Sequence, residues 1–463
     1  MRLYTPLQPT HALPDVRLER RLSFMIDQFS SQPNATIPQA TEERKHMDAA
    51  YAFFKHARVQ PDSILHSCLA QTRLRLQNHS RVLVIQDTSE ANYSTLNDTD
   101  DLGYTNGSNV QGLLIHSSLA VAADGLPLGL LTQQIWTRDP AHKGDTKKRR
   151  QRATTDKESF RWMDHAAAAR AVLDPGVTVV HIADREGDIY DWLAAPRSAK
   201  SHLLIRVAQA NRTVVYGPDD ESGKLSAVVG SQTPLGHHTL EIPRADDRPS
   251  HQVVLTLRVA AVRIAPPLHA KNRKSLSEVP VCVIEAVEEN PPAGQKGLCW
   301  RLVSTESVTK LEEAVSALGD YALRWRIERF HYVLKQGCQV ERLQLGTADR
   351  LSNAIAVYSQ VAVRLLRLAY LARVSPEAQA TEEFNAVELE VLSRGLRGKR
   401  SGARVRTIGE AVRAIARLGG HLGRKKDHPP GTKVLWRGLQ RLHDRTIGFQ
   451  MLQPTSSQDD RNG

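Results

Sequence analysis

The chain has 463 residues, enough for two to four domains and a substantial core. It carries 62 Lys and Arg against 50 Asp and Glu, a net charge of +12, and a pI near 9.6. That balance favours a polyanionic partner, nucleic acid before anionic membrane. No uninterrupted apolar run approaches the roughly 18 residues of a membrane span, and no charged-then-apolar signal segment opens the chain. A soluble, cytoplasmic protein with no membrane partner is the expectation. Cys68, Cys282, Cys299 and Cys338 are scattered without CxxC pairing, which argues for reduced thiols rather than a zinc cluster or disulfide framework.

Residues 1–76 are predicted to form a basic helical domain. LPDVRLERRLSFMIDQF starts a helix with Asp15 in the capping position and Leu18, Leu22 and Ile26 at helical spacing. A second helical segment, 40–59, sets Tyr51, Phe53 and Phe54 among Arg44, Lys45, Lys55 and Arg58. Such cations fit either a solvated helix face or a DNA contact.

RVLVIQD at 81–87 and TVVHIAD at 178–184 are short apolar runs ending in an acid, read as buried strands ending at Asp87 and Asp184. In α/β sheets, ligand sites collect beyond such strand ends. Between them, 113–122 and 128–136 read as further strands of the same sheet, joined by an Asp124–Gly125 turn. A basic loop, 143–152, either touches DNA or is solvated, and a helix is expected from about 157 to 173. Residues 202–305 hold strand-like runs separated by Pro, Gly and Asp clusters, a β-rich insertion within a catalytic domain of 77–372. Helices are predicted to resume at 310–372 and again at 408–442, within a C-terminal helical region of 373–463 whose polar last ten residues are expected to be disordered. The fold class is thus α/β, a mixed sheet flanked by helices with helical regions at both ends.

The stretch 321–335, YALRWRIERFHYVLK, is the most specific feature. Arg324, Glu328 and Lys335 follow Tyr321 by 3, 7 and 14 residues. On one continuous helix these positions fall at roughly 300°, 340° and 320° from Tyr321, a single narrow edge. Leu323, Ile327, Phe330 and Leu334 form an adjacent apolar sector. An acid flanked by cations and a phenol suits an enzyme that cuts nucleic acid, with the acid on a metal and the cations on phosphates. If the strands ending at Asp87 and Asp184 are neighbours, both acids and Glu328 converge and can bind two divalent ions. Oxygen ligands with a phosphate substrate select Mg²⁺ or Mn²⁺.

Each residue also has a plainer reading. Asp87 and Asp184 can be turn caps, Trp300 a core residue, and Tyr321 a cap on the buried face. Arg324 and Lys335 can be partners of nearby acids such as Glu328. Arg206 and Arg212 can grip DNA or simply end a strand. His331 lies one step outside the polar edge and is expected to reach the site, whereas Trp325 is expected to pack.

IQDTSEANYS around Asp87, ADREGDIYDWL around Asp184 and the Tyr321, Arg324, Glu328, Lys335 set together resemble the DDE transposases of the fourth insertion-sequence family, whose four-residue YREK signature is met at full spacing. WRLVSTESV at 300–308, QVAVRLLRL at 360–368 and AIARLGG at 414–420 extend the resemblance almost end to end. It implies an RNase H-like core with a β insertion, and cut-and-paste transposition through hairpinned DNA ends. It implies catalytic metal binding by Asp87, Asp184 and Glu328, and phosphate contacts by Tyr321, Arg324 and Lys335. It further implies stacking of a flipped base on Trp300. The implied partners are transposon-end and target DNA and a second copy of the chain on paired ends, with dimerisation assigned to the C-terminal region. The LPDVRLERRL segment is reached sooner than in such relatives, so either the start codon is misassigned or end recognition is compromised. The alternative is a non-cutting regulator that occupies the ends or forms inactive dimers.

Overall fold

The run Val82–Ile85 is apolar at every position because both faces of its strand are covered, as in buried parallel sheets. In the computed structural model this strand is β1, Arg81–Asn92. Described are residues 13–96, 98–105, 110–138, 157–242, 251–268, 270, 273–291, 294, 297–396, 404–424 and 428–452. The polar loop 143–152 and the tail 454–463 lie outside them.

Beside β1 on one side runs β3 (Gln111–Ala122), antiparallel, and on the other β5 (Thr178–Ala183), parallel. A hairpin through Asp124 and Gly125 joins β3 to β4 (Pro127–Trp136), with Gly125 at φ 87° and the Asp124 carboxylate accepting from the Leu126 amide. β1 does not stop at Asp87. Its pairing with β5 ends at Ile85, but its pairing with β3 continues to Asn92. Asp87 therefore marks where β1 parts from β5 rather than where the strand ends.

The strands of the predicted β-rich insertion continue the same sheet. Its first strand, β6 (Ser201–Arg206), pairs in parallel with β5. It then passes by way of β12 (Cys299–Ser304) to β11 (Val279–Val287) and β10 (His251–Ile264). The short strands β7 (Thr213–Tyr216), β8 (Glu221–Lys224) and β9 (Gly236–Ile242) extend it, and β2 (Gly103–Tyr104) edges the far side, giving one 12-stranded mixed sheet. Parallel pairing to β5 cannot be read from local sequence because the partners are some twenty residues apart across a crossover.

Helices α1 (Val16–Ser31), α2 (Ile37–Thr41), α3 (Arg44–Lys55) and α4 (Pro61–Leu76) form the N-terminal region. Asp15 caps α1, accepting from the amides of Arg17 and Leu18 at 2.8 and 3.1 Å. Next come α5 (Arg161–Val172), α6 (Tyr190–Ala194), α7 (Leu225–Gly230), α8 (Leu311–Ala322) and α9 (Trp325–Tyr332). The C-terminal region follows a long helix α10 (Ala348–Val374) with α11 (Ala386–Leu396), α12 (Ile408–Leu418) and α13 (Thr432–Met451). By length and composition α10 is apolar enough to cross a membrane, yet 94% of its apolar window is enclosed by protein. The N-terminal helices share its core: Phe29 stacks on Tyr358 at 4.8 Å, and the Asn353 amide donates to the carbonyls of Phe54 and Val59. All four cysteines are free thiols.

A second apolar cluster includes Trp162, Tyr190, Trp192, Val214, Val262 and Val303. At its edge Asp188 is buried, accepting from the amides of Ala208 and Gln209 and from the guanidinium of Arg212. Arg212 is thus a structural partner of Asp188, not a DNA grip. Its side chain is 8% exposed and that of Asp188 1%. Removing one member of a buried pair strands the other's charge, a loss of about 3–5 kcal/mol. Chemical denaturation of Arg212→Ala should show that drop in unfolding free energy, and a change below ~1 kcal/mol would refute the pairing's weight.

Candidate active site

Three chemistry-bearing residues meet at one edge because of strand register. The pairs Ile85↔Ile182 and Ala183↔Ile205, carried one or two residues further, set Asp87 beside Asp184 and Asp184 beside Arg206. All three lie past the carboxyl ends of neighbouring parallel pairings, the usual place for a site in such a sheet. Asp184 also caps the short 3-10 turn Arg185–Gly187, accepting from the Glu186 amide at 2.8 Å.

The predicted continuous helix over 321–335 is broken twice. α8 ends at Ala322, and a tight turn follows in which the Arg324, Arg326 and Ile327 amides donate to the carbonyls of Tyr321, Leu323 and Arg324. α9 then runs to Tyr332 and passes into a π-helical turn, Val333–Gly337. Each departure from 3.6 residues per turn shifts the angular phase. The Arg324–Glu328 pair survives, since Arg324 holds the N-cap position of α9 with helical dihedrals and Glu328 follows one turn on, and the guanidinium donates to the carboxylate. Lys335, within the π turn, engages Glu341 at 3.1 Å and the Glu90 carbonyl at 2.8 Å rather than Glu328. Ile327, Phe330 and Leu334 are fully buried as expected, while Leu323 is only partly so. Trp325 is not packing: it is 58% exposed, with the Arg324 guanidinium 5.7 Å from its ring centre. The helix is fastened to the sheet by Arg326, whose Nε donates to the Gly125 carbonyl at 3.0 Å.

Charge links these pieces. Burial pushes the Asp87 carboxyl up to about 7, the neighbouring Asp184 charge and, more weakly, that of Glu328 add to the rise, and the Arg324 guanidinium opposes it. Burial and the neighbouring acids therefore together disfavour the charged form of Asp87. His331 reaches the site as expected: its Nδ1 lies 3.7 Å from Asp87 Oδ2. Burial pushes its ring down to about 3, so it is neutral at physiological pH, and at that distance the pair is a contact rather than a hydrogen bond. With 6% exposure His331 is buried against Asp87 and presents little of its ring to solvent.

Tyr321 is 3% exposed; burial raises its phenol, and the charges of Arg324 and Arg206 pull it back. Trp300, opposite Ala286 on β12, is partly exposed and meets the Tyr321 ring edge-on at 5.6 Å. These contacts bring Trp300, Tyr321, Arg206 and Arg324 to the Asp184 side of the edge.

Arg161, at the start of α5, was not distinguished in sequence. Its Nε donates to Thr88 Oγ1 at 3.1 Å and its Nη2 to Glu186 Oε2 at 3.0 Å, bridging the residues next to Asp87 and near Asp184. Nothing local in KESFRW marks it out, because both partners are distant in sequence. The oxygen-only acids Asp87, Asp184 and Glu328 are a donor set for a hard divalent cation. Among the described residues no three His, Cys, Asp or Glu side chains already surround a common point at metal-ligand spacing, and Glu328 is turned onto Arg324.

Comparison with known families finds two matches. Residues 9–59 match the family model described as transposase DNA-binding, and residues 360–451 match that of the transposase Tn5 dimerisation domain. The two matches support a transposase that binds DNA and forms homodimers. They flank the acidic edge, which lies between them in sequence.

Proposed function

We propose that the chain is a DDE transposase of the fourth insertion-sequence family, built on an RNase H-like core, that excises and inserts DNA by cut-and-paste through a hairpin. The observation that carries this reading is the meeting of Asp87 and Asp184 just past the end of the parallel pairing of their strands, opposite the Arg324–Glu328 pair. The three carboxylates are a hard oxygen donor set that suits a divalent cation, Mg²⁺ or Mn²⁺, which Asp87, Asp184 and Glu328 would hold, two ions per site. Two such ions activate an attacking oxygen and stabilise the leaving one in phosphodiester chemistry.

Around that centre the chain's own residues position DNA. Arg324 has two roles: it holds Glu328 in the free protein, and a phosphate at the cleaved end competes for its guanidinium, freeing the carboxylate. Arg206 and Lys335 supply further positive charge to the end phosphates, and Tyr321 supports Trp300 from behind. Water attack on one strand yields a 3′-hydroxyl and a 5′-phosphate. That hydroxyl then attacks the opposite strand, displacing the flanking 3′-hydroxyl and closing a hairpin. Hairpin closure needs an unstacked base, and the partly exposed Trp300 offers it an aromatic face. The N-terminal helices read the element's ends, and the C-terminal region pairs two copies on them.

Incubation of the protein with duplexes carrying the inverted repeats that flank its reading frame, plus Mg²⁺, should give a nicked and then a hairpinned product. Tight end binding without any cut strand would favour the non-cutting regulator instead.

A further inference from the structure

The π turn that carries Lys335 is held from outside the sheet by the C-terminal region. At Gly337 an added Cβ would lie 2.9 Å from both Cε3 and Cζ3 of Trp436, so the indole of α13 rests directly on the turn's backbone. Trp436 is 5% exposed, and its ring also lies 6.1 Å from that of Tyr332, the last residue of α9. The turn is closed by the wide hydrogen bond from the Cys338 amide to the Val333 carbonyl, 2.8 Å. On its other side Lys335 meets Glu341, whose carboxylate also accepts from the Asn92 amide at 2.9 Å, at the end of the strand that carries Asp87. A π turn is less favourable than the α-helix it interrupts and persists only where its surroundings impose it.

We infer that Trp436 is a positioning residue for Lys335: through Gly337 the C-terminal helix imposes the π turn and so sets where the lysine presents its charge. Trp436 lies within the segment that matches the dimerisation family, so the region that would pair two copies also abuts the turn carrying Lys335. This rests on the proposed role of Lys335 at DNA phosphates, and its test keeps the two separable.

Gly337→Ala forces the methyl against the indole, and overpacking of this kind should slow end cleavage roughly 10- to 100-fold. Trp436→Phe in the same chain removes the crowding atoms, and the double variant should return to within about threefold of wild type by the coupling expected of touching residues. A second readout needs no cleavage. The slope of log affinity against log salt for end DNA should fall by about 1 in Gly337→Ala, as in Lys335→Ala, and recover in the double variant. Trp436→Ala, which removes the prop without a clash, should show the same lowered slope and covers the case in which Gly337→Ala fails to fold. Wild-type cleavage and slope in Trp436→Ala, or a double variant no better than Gly337→Ala, overturns the inference. If the wild-type protein binds ends but never cuts, the proposed function fails while the slopes still decide the role of Trp436.

Discussion

Asp184→Ala and Glu328→Ala will leave end binding intact and remove strand cleavage, a fall of at least about 10³-fold, or ~4 kcal/mol of barrier. Neither acid is placed to hold the fold together. Asp184 caps only a three-residue turn, and Glu328 is a partly exposed partner of Arg324 on the helix surface. Gel-shift and nicking assays on the same end duplex separate binding from chemistry, and normal nicking by Glu328→Ala in Mg²⁺ would remove it from the proposed centre.

Asp87→Asn should lose cleavage equally but with a further signature. Its carboxyl, ordinarily near 3.8, is pushed up to about 7 in the fold, first by burial and then by Asp184. An acid raised in this way binds its proton more tightly folded than unfolded. Its ionisation therefore costs stability as pH rises from about 4 through 7, and the cost is complete above that. A shift of this size is worth at most about 4 kcal/mol. In chelator, Asp87→Asn should melt higher than wild type at pH 8 and equally at pH 4. Equal melting at both would mean that the acid is not strained by its surroundings.

The second large effect is at Trp300. Stacking of one base on an aromatic ring is worth ~1–3 kcal/mol, so Trp300→Ala should cut the yield of hairpin roughly 10- to 100-fold. Initial nicking should change little, because water attack on the first strand needs no extruded base. The indole is partly exposed at the margin of the core, so truncation should not unfold the strand. An unchanged hairpin yield would return Trp300 to a packing role on β12.

Local features were legible where the physics is local. Apolar runs marked β1 and β5, Asp15 its cap, and spacing of four the Arg324–Glu328 pair, each decided within a few residues. Lys335 does not meet Glu328 because the π turn in which it lies changes the helical phase, and Trp436, about a hundred residues away, rests on that turn. Trp325 was taken for packing, yet the tight turn at Leu323 and Arg324 turns it to solvent. Arg212 and Arg206 look alike in sequence, but a buried Asp188 claims the first and the register with Asp184 places the second.

By itself the sequence determined the chemistry available to this protein: two acids after apolar strands, a third on a helix with its arginine, and a basic surplus suited to DNA. Side-chain identity and short-range periodicity carry that much. Only the tertiary structure decided that Asp87, Asp184 and Arg206 come to one sheet edge, that one sheet runs through the β-rich insertion, that Arg161 bridges Thr88 and Glu186, and that Trp436 rests on Gly337. Parallel strand pairing and helix-on-helix packing join residues far apart along the chain, and no local pattern encodes which distant partner will be met.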